Sequence, residues 1–165
     1  MSQVLLRIGL VGCASSKLNH PAPARVLYTS GLFRKASAYA EATCGRWFVL
    51  SAKHGLVHPD DVLEPYDVKL GTNAPASPSS WEWADMVVRQ LEDELADEPH
   101  PLLVTLAGEK YRTFLSRSAW PHEVPMAGLR IGEQLAWLTN ELTDLKRKRR
   151  VPRTPPPDGR LGALI

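Results

Sequence analysis

The sequence predicts an α/β domain: a mostly parallel sheet of about four strands with helices on both faces. Three observations carry this. Short apolar runs recur at Val4–Val11, Trp47–Leu50 and Leu102–Leu106, as expected of strands buried on both sides. Segments with helical periodicity stand between them, and small or polar residues mark each junction. A chain of 165 residues is long enough to bury one core without disulfide or metal staples.

The first run ends at Gly12-Cys13-Ala14-Ser15-Ser16-Lys17, and the prolines at 21 and 23 forbid a helix directly afterwards. Ser30 is placed to cap a helix through about Thr43, with Leu32, Phe33, Ala36 and Ala40 on one side and Gly45 as its stop. The second strand, Trp47–Leu50, is followed by a long polar loop, and residues 68–78 read as irregular. Trp81 to Asp97 forms an amphipathic helix whose stripe is read as Trp81, Ala84, Val88, Leu91 and Leu95. The third strand, Leu102–Leu106, leads into a helix from Gly108 to about Arg117. Glu123–Met126 reads as a short fourth strand, and Ile131–Leu145 as the closing helix. Residues 1–145 thus form the domain. Residues 146–165 are a basic, proline-rich tail with too little apolar area to fold alone.

Composition excludes several classes. No apolar run approaches the roughly 18 residues that span a bilayer, and the N-terminus lacks a signal-peptide pattern. Cys13 and Cys44 are the only cysteines, so neither a disulfide framework nor a structural zinc site is expected. The expectation is a cytoplasmic protein, without metal or cofactor and without a membrane partner. The net charge of +2 conceals an asymmetry, because residues 146–165 carry seven Lys/Arg against one Asp. The body is mildly acidic and the tail strongly basic.

In open α/β sheets the loops at the carboxyl ends of the strands face the ligand. Glycine and small residues followed by Lys17 suit an anion held by backbone N–H groups, with Ser15 and Ser16 beside it, although this is neither a Walker A loop nor a dinucleotide fingerprint. Cys13 is either a nucleophile activated by a neighbouring cation or a buried small apolar residue. Tyr28 suits stacking on a base, and Ser30 is either a plain cap or a ligand contact. After the second strand, Ser51 suits a strand-end hydrogen bond, and Lys53 and His54 suit acid–base or anion contact. Glu64-Pro65-Tyr66-Asp67 offers two carboxylates that either act on a ribose, a water or an oxocarbenium-like cation, or pair with Lys53 or Arg25. His58 reads as loop surface. Gly108 and Tyr111 lie at the third strand's carboxyl end, and Arg130, within Gly128-Leu-Arg-Ile-Gly132, suits either a phosphate or a capping role. Lys146–Arg150 either neutralises nucleic-acid phosphates or is a solvated helix end.

Taken together, Gly12-Cys13-x-x-x-Lys17, Leu27–Ser30, Leu50–Leu56, Glu64–Asp67 and Gly128–Gly132 resemble an uncharacterised domain family of bacteria and phages. Its central motif is similar to that of the YaaA proteins, DNA-binding proteins of the peroxide response. Ser51, Gly55 and Pro65-Tyr66 match the YaaA pattern, whereas Lys53-His54 and Asp67 depart from it. A weaker likeness joins Cys13 and Lys17 to the Cys-x-x-x-Lys motif of archaeosine synthases, which amidate a deazaguanine base in transfer RNA. Both resemblances imply a nucleobase, nucleoside or nucleotide ligand, free or in DNA. The expected activity is base modification or chemistry at the N-glycosidic bond, and the alternative is non-catalytic DNA binding. On the enzyme reading Cys13, Lys17, His54, Glu64 and Asp67 are the catalytic candidates. Ser15, Ser16, Tyr28, Ser30, Ser51, Lys53, Tyr66, Gly108, Tyr111 and Arg130 are the binding candidates.

Overall fold

A computed structural model describes residues 4–73 and 77–150. In chain order the elements are β1 (Leu6–Gly12), β2 (Ala22–Pro23), the short helix α1 (Ala24–Leu27), α2 (Gly31–Thr43), β3 (Arg46–Ser51), β4 (Gly55–Val57), β5 (Val62–Leu63), α3 (Ser80–Glu94), β6 (Pro101–Leu106), a 3-10 helix (Glu109–Arg117), β7 (His122–Glu123) and α4 (Ile131–Arg150). The main sheet has five strands in the order β4-β3-β1-β6-β7. Strands β3, β1, β6 and β7 run parallel, and β4 returns antiparallel along β3. This is the mostly parallel, helix-covered α/β sheet that the periodicity predicts. A separate antiparallel pair joins β2 to β5.

Strand β1 lies at the centre because nearly all of it is apolar, as a strand buried on both faces requires. Its side chains alternate between two cores. Val11 joins one with Leu106, Phe33, Ala36, Ala40 and Leu138, under α2 and α4. Ile8 and Leu10 join the other with Phe48, Leu103, Trp83, Leu91 and Phe114, under α3 and the 3-10 helix. Gly9 permits α2 to sit close, since a β-carbon there would stand 3.0 Å from that of Ala40.

The helix starts follow the sequence. The Ser30 and Ser79 hydroxyls accept from Phe33 N and Glu82 N, capping α2 and α3. Three readings change. On α3 the inward face is Trp83, Ala84, Val87 and Leu91, continued by Leu95, while Trp81 is 52% exposed and lies against the Arg117 guanidinium at 4.6 Å. The fourth parallel strand is His122–Glu123, and Val124–Gly128 turn away from it. The last helix does not end at Leu145: it runs through Arg150, so the basic run is helical. The remaining tail, 151–165, lies outside the described residues. No helix among the described residues is long and apolar enough to cross a membrane.

Candidate active site at the carboxyl edge of the sheet

The chain leaves β1 toward β3 on one side and reaches β6 on the other. The carboxyl ends of β1 and β6 therefore flank a topological switch point, where open α/β sheets hold their ligands. A cleft of about 240 Å³ opens there. Gly12, Cys13 and Ala14 line it from β1, Leu106, Ala107 and Gly108 from β6, and Ser30 and Phe33 from the start of α2, with Tyr111, Met126 and Gln134 completing it. Glycine at position 12 keeps the two strand ends together, because a β-carbon would stand 3.0 Å from that of Ala107.

A second cleft, of about 180 Å³, adjoins it through Cys13, Ala14 and Tyr111, and is otherwise lined by Ser15, Lys17, Asp67, Val68 and Lys69. The Cys13 thiol lies between the two and donates to Tyr111 Oη at 3.4 Å. Lys17 is held by an isolated antiparallel bridge of its backbone to Tyr28, and its ammonium donates to Ser15 O at 3.3 Å. That ammonium also stands 4.4 Å from the centre of the Tyr66 ring, a cation–π contact. Partial burial holds the Lys17 amine below its ordinary value, against the opposing pull of Cys13 and Asp67.

Behind the clefts runs a hydrogen-bonded chain. Tyr28 Oη meets Tyr66 Oη at 2.6 Å, and Tyr66 Oη meets Ser51 Oγ at 2.7 Å. Ser51 is fully buried, and its Oγ accepts from Lys53 N at 3.2 Å and His54 N at 3.1 Å, which is the strand-end role its position predicts. The indole of Trp83 donates to Ser51 O at 2.8 Å. Burial pushes the Tyr28 phenol up to about 12, and raises those of Tyr66 and Tyr111 further. All three hydroxyls therefore stay protonated at neutral pH and can donate.

His54 stands edge-on to Tyr66 at 5.5 Å between ring centres. Partial burial, and then the neighbouring Lys53 charge, hold its imidazole below the ordinary value. The unfolded chain takes up that proton first, so the neutral imidazole's contribution to stability is complete above about pH 6.5 and is lost as pH falls through the lower folded value. Between pH 7.5 and pH 5, the thermal midpoint of wild type should therefore fall further than that of His54→Gln. Equal falls in the two proteins would remove His54 from the acid response.

The structure thus gathers Cys13, Lys17, Ser15, Asp67, Tyr111, Ser30 and Gly108 around the clefts, with Tyr28, Tyr66, Ser51 and His54 packed behind. It does not bring Glu64 or Arg130 to them: both are exposed and neither lines these clefts. The backbone N–H of Arg130 donates to Glu133 Oε1, a cap at the start of α4. Ser16 contributes its carbonyl to Thr29 N, and Lys53 is exposed. Arg25 pairs with Asp60 and Glu41, not with Glu64 or Asp67. His58 is more than loop surface: its Nε2 lies 2.6 Å from Glu94 Oε1 and its ring packs on Phe48. Sequence reasoning missed Gln134 and Met126 as cleft residues, and a glutamine in the first turn of a helix gives no local sign of facing a site. Both cysteines are free. No group of three or more His, Cys, Asp or Glu among the described residues is arranged to hold a metal ion.

Fold and clefts together define an open-sheet α/β protein with clefts at its switch point. Residues 8–140 match the family described as "Family of unknown function (DUF6884)", and the chain belongs to that family. It is 31% identical over 124 residues to the uncharacterized protein YfjM of Bacillus subtilis, covering 71% of this chain and 79% of that protein. UPF0246 proteins, the YaaA family, are also relatives. One from Cellvibrio japonicus is 39% identical over 66 residues, and one from Legionella pneumophila strain Paris is 28% identical over 109. The chain spans only 26% and 42% of those two proteins. No solved structure matches. The archaeosine synthase likeness finds no support in these comparisons.

Proposed function

We propose that the chain is a small enzyme acting on a nucleobase, nucleoside or nucleotide, free or within DNA, by base modification or chemistry at the N-glycosidic bond. One observation carries this reading: a thiol and an ammonium from the turn after β1, and a carboxylate from the loop after β5, line one cleft beside the switch point. Tyr111, the phenol that lines both clefts, offers an aromatic ring and a hydroxyl suited to a planar, polar ligand. Asp67, which lines the cleft as Glu64 does not, is the base or cation stabiliser. Lys17, partly desolvated, holds an anion or gives up a proton. Cys13 is the candidate covalent nucleophile. His54 acts through Tyr66, positioning that ring.

The second reading, a non-catalytic DNA-binding protein of the YaaA-like type, draws on Lys146–Arg150, all exposed on one helical end. Such a cluster gives non-specific, salt-sensitive affinity for phosphates. A mass-spectrometric screen of nucleosides, nucleotides and base-modified DNA separates the two. Turnover of a free nucleoside or nucleotide by wild type, reduced about a hundredfold or more in Asp67→Asn and unchanged when Lys146–Arg150 are replaced by glutamine, is the expected result. Duplex binding with no turnover of any compound would establish the second reading instead.

A further inference from the structure

Beyond the Cys13 clefts lies a cavity of about 310 Å³ between the carboxyl end of β6 and the start of α4. It shares Ala107, Gly108, Met126 and Gln134 with the 240 Å³ cleft, so the two are continuous. Two of its lining residues hold buried polar atoms with no protein partner among the described residues: Thr105 Oγ1 and Arg112 Nε. Thr105 is fully buried in a strand that is otherwise apolar. Valine has nearly the same shape and would avoid the cost of an unpaired hydroxyl, about 1–3 kcal/mol. The Arg112 guanidinium is also poorly answered. Its nearest carboxylate, Glu109, sits 3.9 Å away on a side chain that is 93% exposed, a pairing of little strength.

We propose that this cavity binds a phosphate group of the ligand, so that the substrate is a nucleotide and not a free base. Arg112 supplies the charge and a directed Nε donor, and Thr105 a hydroxyl donor from the floor. Nothing lies within 4 Å of where a side chain at Gly108 or Gly128 would project, which leaves the backbone on either side open to a ligand. Glu109 lines the same cavity and opposes the anion, which favours a site that reads one phosphate and not a polyanion. Placing the base in the Cys13 cleft rests on the function proposed above; the anion subsite itself does not.

The test is an NMR titration of the full chain with inorganic phosphate at constant ionic strength. Saturable shifts of the Arg112 Nε–H and of the Gly108 and Gly128 amides are expected. Arg112→Lys keeps the charge but lacks the directed donor, and should weaken binding about tenfold; Thr105→Val should weaken it severalfold with the thermal midpoint retained. Arg89→Ala, on α3 and outside these clefts, should leave the titration unchanged. Absence of saturation, shifts confined to Lys146–Arg150, or equal affinity in Arg112→Lys would each overturn the proposal. Nucleoside turnover without phosphate binding here would end this inference alone. Phosphate binding here with no turnover of any nucleoside, nucleotide or base-modified DNA would end the base-acting reading and leave the anion subsite standing.

Discussion

Replacing Trp83 by alanine should lower the stability of the folded chain by about 3–5 kcal/mol, measured by urea denaturation. The side chain is 1% exposed and sits between α3 and the carboxyl end of β3. Its indole packs edge-on against Tyr111 at 5.4 Å and Phe114 at 6.4 Å, and its Nε1 anchors Ser51 O. Alanine leaves a cavity that rigid sheet and helix cannot close, and it frees Tyr111, a wall of the cleft. Trp83→Phe fills most of that volume and should cost only about 1–3 kcal/mol, chiefly for the unanswered Ser51 carbonyl. Equal losses from the two substitutions would show that the hydrogen bond, not the packing, matters.

Ser51→Ala should be the second most damaging, at about 2–4 kcal/mol, because three bonds end on one buried oxygen. The Lys53 and His54 amides lose their acceptor, and the tyrosine pair loses its terminus. A drop of roughly 5–15 °C in the thermal midpoint follows for a domain of this size. Tyr66→Phe removes the phenol but leaves both amides satisfied, so it should cost clearly less. A milder effect for Ser51→Ala than for Tyr66→Phe would mean that the loop after β3 is held by something else.

Much of this architecture is legible in the sequence because apolar runs and helix caps are local signals. Ser30 and Ser79 declare their helices by type and position alone. The inward face of α3 is not legible in that way. Trp81-Ala84-Val88 and Trp83-Ala84-Val87 both satisfy a period of 3.6, and packing against Ile8, Leu10, Phe48 and Phe114, with the indole bonded to Ser51 O, favours the second. The short strand His122–Glu123 is equally hidden, since two exposed polar residues carry no strand pattern. At the site, Cys13, Lys17, Asp67 and Tyr111 stand out because reactive side chains at strand ends are conspicuous. Glu64 stands out for the same reason, yet the turn of the chain leaves it on the outside. Thr105 did leave a trace, as the lone hydroxyl in an apolar strand. Arg112 left none, because its role depends on which neighbours fail to meet it.

The central strand also governs how the molecule assembles. Leu6 lies opposite Pro101 and Val11 opposite Leu106, so one whole side of β1 has no partner until most of the chain has been synthesised. During that interval an apolar, bare-edged segment is available to other nascent chains. Refolding yield should therefore depend steeply on protein concentration, and pairing across so long a separation makes the folding step slow.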